Sequence, residues 1–156
     1  MFAAMTARTI NTIDDFEGLV GEHLGYSDYV EISQDQVDTF ADVTGDHQWI
    51  HVDVERAQAG PFGGTIAHGY LTLSFGPMLA PQIFDSSAIP MGLNYGCNKV
   101  RFPAPVPVGS RVRLGINVLQ VENVEGGIQI TMNYQFEVEG ASKPSCVAEV
   151  IVRYFR

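Results

Sequence analysis

The sequence predicts an α+β domain in which a curled antiparallel sheet covers one central apolar helix. Residues 65 to 84 contain no Asp, Glu, Lys or Arg, whereas the chain from Met91 onward alternates and is rich in β-branched residues. Turn sequences PVPVGS, ENVEGG and EGASKP punctuate that second part. Strands that follow a greasy helix as a run, rather than alternating with helices, give an α+β layout.

The chain has 156 residues, 46% hydrophobic and 17% charged, without a repeat or low-complexity tract. It therefore reads as one domain, residues 1–156, able to bury a core without metal or disulfide staples. Nine Lys+Arg against eighteen Asp+Glu give a formal net charge of −9, with no basic run. That balance argues against nucleic acid and anionic membrane as partners, while a small anionic ligand stays compatible. Cys97 and Cys146 lack metal-ligand spacing and read as reduced thiols. No apolar core follows a basic flank at the N-terminus, so no signal peptide is read and the cytoplasm is the expected location. The uncharged stretch holds His68, Gly76, Pro77, Pro81 and Gln82, which suits a buried helix better than a membrane span.

The elements follow in order. Residues 1–20 form an N-terminal segment expected to fray at its start, and DYVEI (28–32) a short strand. Ser33 and Gln36 have capping-box spacing. Val37, Phe40, Ala41 and Thr44 then recur at helical intervals up to Gly45, a fitting C-terminal cap. Asp53 can cap a second short helix, VERAQA, ended by Gly60-Pro61. The long helix is expected over residues 65–84, enclosed on most sides and bent or ended at Pro77 and Pro81. Beyond it, PVPVGS reads as a turn between two strands, and IQITMNYQFEV and SCVAEVIVRYF as two more.

The chemistry gathers in GDHQWIH, residues 45–51. Asp46 and His51 straddle a helix end and a turn, so they can converge on one point and share a water molecule. Imidazole exchanges protons near neutral pH because its intrinsic pKa is roughly 6.5. On spacing alone, a helix-terminal aspartate and a satisfied core histidine are the commoner reading of such a pair. His47 and His51 stand four apart, but a helix end at Gly45 and the absence of a further ligand set argue against metal. Gly63, Gly64 and Gly69 lie near the start of the apolar helix, whose first N–H groups lack internal partners. Such an N–H can stabilise an oxyanion, and a glycine there serves equally for tight helix–sheet packing. His68 reads as structural, Trp49 and Ile50 as buried anchors of the loop. Lys99, Arg101, Arg111 and Arg113 cluster around the PVPVGS turn, and Asn94 and Tyr95 precede it.

The stretch FADVTGDHQWIHVDVERAQAGPFGGTIAHGYLTLSF resembles the hydratase-2 motif of the MaoC-like dehydratase family, which includes (R)-specific enoyl-CoA hydratases. The matching positions are Phe40, Gly45, Asp46, Ile50, His51, Asp53, Ala57, Ala67, His68 and Gly69, and NKVRFPAPVPVGSRVR is similar to the strand–turn–strand that follows. Gln48-Trp49 replaces the usual Asn-Pro, as in a single-domain bacterial subgroup. The resemblance implies a hotdog fold, a homodimer, and reversible hydration of trans-2-enoyl-CoA to (R)-3-hydroxyacyl-CoA without metal or other cofactor. It implies Asp46 and His51 as the catalytic pair, Asp46 being the preferred base, and the Gly69 N–H as oxyanion donor. Tyr70, Asn94, Tyr95 and Arg101 are the candidates for further substrate contact. The rivals are a (3R)-hydroxyacyl carrier-protein dehydratase, a thioester hydrolase, and a non-catalytic acyl-CoA-binding protein.

Overall fold

The computed structural model describes residues 6–156. In chain order the elements are β1 (Arg8–Thr9), a 3-10 helix (Ile13–Leu19), β2 (His23–Tyr26), β3 (Val30–Glu31), α1 (Gln34–Thr44), α2 (Trp49–Val52) and α3 (Val54–Gln58). Then come α4 (Gly69–Ser74), α5 (Gly76–Leu79), a 3-10 turn (Ala80–Gln82), β4 (Phe84–Asp85), β5 (Met91–Arg101), β6 (Arg111–Val124), β7 (Gly127–Val138) and β8 (Cys146–Phe155).

The main sheet runs β2-β6-β7-β8-β5, all antiparallel, with β3 also paired to β6. Its inner face is the period-two set the alternation predicts: Val112, Leu114, Ile116 and Val118 on β6, and Cys146, Ala148, Val150, Val152 and Tyr154 on β8 are all buried. Leu71, Phe75 and Leu79 of the helical segment join them in one core. No helix among the described residues is long and apolar enough to cross a membrane.

Three expectations need correcting, and a fourth is untested. Fraying at the very start falls on residues 1–5, outside the described residues. The rest of the N-terminal segment is built into the fold, since Ile10, Ile13, Phe16 and Leu19 are buried. Phe16 stacks on Tyr154 at 5.1 Å and meets Phe84 edge-on at 5.9 Å.

The helix expected from residue 65 starts only at Gly69. The backbone before it is claimed elsewhere: the Ala67 N–H donates to Val106, the Ile66 N–H to Ile50, and Thr65 accepts from Val108. Tertiary hydrogen bonds thus override local helix preference. Pro77, without an N–H, marks the break between α4 and α5, and Pro81 the tightening that ends the helical run.

The residues around PVPVGS do not join a hairpin. β5 pairs with β8 and β6 with β7, so segment 102–110 carries the chain across the fold and lies beside residues 65–67 instead. The helical segment is also less enclosed than expected. Tyr70 is 70% exposed and Met78 47%, and Ser74 lies between them on the same open stripe.

Candidate active site

The local chemistry of the chain builds the GDHQWIH loop. Ser33 caps α1 and Gln36 returns the bond to the Ser33 N–H, completing the capping box. At the other end Gly45 adopts φ 78°, a left-handed conformation that favours glycine, and its N–H closes on the Ala41 carbonyl. The chain therefore leaves the helix just before Asp46. It re-forms a single turn, α2, which carries His51, and Asp53 then caps α3 by accepting from the Arg56 N–H.

His51 is 7% exposed and held on both sides. Its Nδ1–H donates to the Ile66 carbonyl at 2.7 Å, while the Ile66 N–H donates to Ile50 at 3.0 Å. Gln34 reinforces the tie: its Nε2 donates to the His51 carbonyl at 2.8 Å and its Oε1 accepts from Thr65 Oγ1 at 2.6 Å. Gln34 and Thr65 were not singled out from the sequence, and no local pattern links positions 31 apart. Trp49 is half-buried rather than buried. Arg56 lies 4.4 Å over its ring, and a Cβ on Gly60 would come within 2.9 Å of the indole.

Asp46, His51 and His68 each offer a donor atom to a set lying within 4.8 Å of one another. His68 occupies the N-cap position of α4 without a side-chain bond to the helix, and it lies at the centre of the site. Its ring stacks on that of His51, with centroids 3.8 Å apart and planes 25° apart, and it touches Phe40 at 4.9 Å. Its Nε2–H donates to the Asp46 main-chain carbonyl at 2.9 Å, and its Nδ1 is buried with no partner among the described residues. Asp46 Oδ2 stands 4.0 Å from the same Nε2.

Burial pushes the His51 imidazole below its ordinary value of 6.5, and the neighbouring His68 acts the same way. The Ile66 hydrogen bond and Asp46 oppose the shift without cancelling it. With Nδ1–H committed to a carbonyl, the lone pair of the neutral ring is on Nε2. The pair weighed for metal, His47 and His51, is not brought together as such. His47 Nε2 bonds Asp42 at 2.8 Å on the surface, which raises its proton affinity. Asp46, His51 and His68 are close enough for a cation. The two ring planes are stacked nearly parallel, however, and each ring already spends one N–H on a main-chain carbonyl, leaving it a single nitrogen for any ligand. The arrangement suits proton transfer better than ligation.

His51, Gly69, Thr72, Phe102 and Ser145 line one cavity of about 280 Å³. The Gly69 N–H opens α4 and has no intrahelical acceptor. Phe102 packs directly on Gly69, so tight packing is a real constraint there as well. Tyr70 meets Phe102 edge-on at 5.8 Å. Asn94 and Tyr95 instead line a separate cavity of about 730 Å³, with Arg153 3.5 Å over the Tyr95 ring. Arg101 is exposed and donates to the Val100 carbonyl. The other cations of its cluster pair with carboxylates: Lys99 with Glu149, Arg111 with Glu139, Arg113 with Glu137.

Residues 15–139 match the family model described as the MaoC like domain. The chain belongs to the MaoC-like family. This MaoC-like chain is 55% identical over 148 residues to 3-hydroxyacyl-thioester dehydratase Z of Mycobacterium tuberculosis, across 94% of this chain and 98% of that protein. Its structure resembles the monoamine oxidase regulatory protein from Archaeoglobus fulgius, with a TM-score of 0.78, 24% identity, and 97% and 98% of the two chains covered. It also resembles the (R)-hydratase from A. caviae involved in PHA biosynthesis, with a TM-score of 0.70, 21% identity, and coverage of 85% and 94%. These likenesses bear out the hotdog fold of the MaoC-like chain: an antiparallel sheet around a bent central helix.

Proposed function

We propose that this MaoC-like hydro-lyase is an (R)-specific enoyl-CoA hydratase, adding water reversibly to trans-2-enoyl-CoA to give (R)-3-hydroxyacyl-CoA. The observation that carries the reading is the meeting of the Asp46 carboxylate and the His51 ring, with Nδ1 of His51 tied to Ile66 and its Nε2 left for chemistry. Gly69, lining the same cavity as His51, supplies an N–H for the thioester oxygen. No metal or other cofactor is required by this chemistry.

Water sits between Asp46 and His51. His51 Nε2 takes a proton from it as the oxygen bonds to C3, and the C2–C3 π pair moves toward C2 and the thioester oxygen. The Gly69 N–H stabilises that enolate-like charge. His51 then returns the proton to C2, restoring the neutral ring and completing hydration. Asp46 orients the water and balances the transient imidazolium. The fixed Nδ1–H favours His51 over Asp46 as the base, because a neutral ring with that proton committed has none to give from Nε2. The (R) configuration rests on the likeness of the motif. Stereochemical analysis of the hydration product reads it directly, and an (S) product overturns it.

The carrier half of the thioester admits a second reading, since the M. tuberculosis relative's name specifies only a 3-hydroxyacyl thioester. Turnover of one acyl chain on CoA and on acyl-carrier protein separates the two, and preference for the carrier protein replaces the CoA enzyme by a dehydratase of fatty-acid synthesis. A homodimer is part of the proposal. Among the described residues the outer edge of β5 has no strand partner, and Met91, Leu93 and Tyr95 are exposed along β5, as is Tyr70 on the helix. Light scattering that reads one chain per particle contradicts it.

A further inference from the structure

The cavity of about 730 Å³ is not used by the chemistry above. It opens along the helical segment at Leu73, one turn past Gly69, and continues through Gly76 and Ala80 between that segment and the sheet. At a rise of 1.5 Å per residue, Gly76 lies on the order of 10 Å beyond Gly69. An acyl chain whose thioester oxygen is held at Gly69 and which follows the helix would bring its distal part here. This step rests on the acyl-thioester reading of the site.

A chamber for a plain alkyl chain would be apolar throughout, and this one is not. Tyr134 is 6% exposed, lines the cavity, and its hydroxyl forms no hydrogen bond among the described residues. The ring is pinned under the helix, since a Cβ on Gly76 would come within 3.2 Å of it. Burial pushes the phenol up, with Tyr154 and Cys97 adding to the shift, so it remains a donor. Beside it, the Tyr154 hydroxyl bonds Ser86 Oγ at 3.1 Å, and Asn94 completes a polar patch on the wall. The Tyr134 hydroxyl, open to the cavity and bonded to no protein group among the described residues, can donate to an oxygen brought beside it, a bond that a methylene in the same place cannot accept.

We propose that this cavity selects acyl chains carrying a hydrogen-bond-accepting oxygen in their distal part over alkyl chains of the same length, with the Tyr134 hydroxyl as the donor. The probes are saturated medium-chain acyl-CoAs and their ether analogues, one distal methylene replaced by oxygen at successive positions, with binding measured by calorimetry. At one or two neighbouring positions the ether analogue should bind about three- to tenfold tighter, the range expected for one net hydrogen bond. Tyr134→Phe, which removes only the hydroxyl, should bring that ratio to one. Equal affinities at every position in the wild-type protein overturn the proposal, and so does an ether preference that survives in Tyr134→Phe. Saturated probes bind without turnover, so failure of the hydratase reading shows separately, as no hydration of a short enoyl-CoA by the same preparation.

Discussion

Replacing Gly69 by alanine tests how the site is packed and how the thioester reaches it. A Cβ on the Gly69 backbone would stand 2.8 Å from two carbons of the Phe102 ring and 2.9 Å from a third. Carbon atoms pack best at about 3.5–4.0 Å, so the ring must retreat by roughly 0.7 Å or more. One of those carbons is Cγ, at the stem of the side chain, so rotation alone does not make room. Segment 102–110 carries Phe102, and through Val106 it holds Ala67, next to the Ile66 carbonyl that fixes His51. Overpacking of this kind costs about 1–3 kcal/mol, partly offset by about 0.4–1 kcal/mol from the lower unfolded-state entropy of alanine. A net loss of about 1–2 kcal/mol lowers Tm by about 2–8 °C in a chain of this size. Thermal unfolding of Gly69→Ala, and of Gly69→Ala combined with Phe102→Leu, reads the packing directly. The double variant should recover Tm yet hydrate a short enoyl-CoA poorly, because the methyl still occupies the thioester's approach to the N–H. An unchanged Tm in the single variant refutes the packing, and full activity in the double variant refutes the oxyanion assignment.

Because burial lowers the His51 pKa and the neutral ring is the working form, the acid limb of kcat/KM should fall below pH 6.5, and a limb at or above that value contradicts the base assignment. His68→Phe keeps a ring against His51 but removes the donor to the Asp46 carbonyl. We expect kcat to fall about tenfold, the equivalent of roughly 1.4 kcal/mol in positioning, with KM little changed; an equal rise in KM alone would show that His68 serves binding instead. Asp53→Ala removes the cap of α3 and should cost about 0.5–2 kcal/mol in denaturant unfolding, and no loss of stability contradicts the cap.

What the sequence made legible was local. The capping box at Ser33, the left-handed Gly45 and the Asp53 cap each depend on residues a few positions apart, and all three form as read. The alternation of β6 to β8 likewise announced which side chains enter the core. The non-local parts were not legible. The helix start moved to Gly69 because residues 65–67 spend their backbone bonds on Ile50 and on segment 102–110. β5 and β6 looked like neighbours around PVPVGS, yet strand pairing is decided by the whole sheet, which sets β5 beside β8. In the N-terminal segment, Ile13, Phe16 and Leu19 recur every three residues, a 3-10 signature too short to stand out as an element in the sequence. At the site, Asp46, His51 and Gly69 emerged from motif spacing. The stacking of His68 on His51, the Gln34–Thr65 tie and the packing of Phe102 on Gly69 depend on three-dimensional contacts that no spacing encodes.

The most direct test is hydration of a short trans-2-enoyl-CoA by Asp46→Asn, His51→Gln and the double variant, followed through loss of the absorbance of the double bond conjugated to the thioester. If the two side chains handle one water together, each single change lowers kcat/KM by about 10²–10⁴, and the double variant is little worse than the poorer single one. Near wild-type rates in the folded single variants would contradict the pair as the catalytic centre.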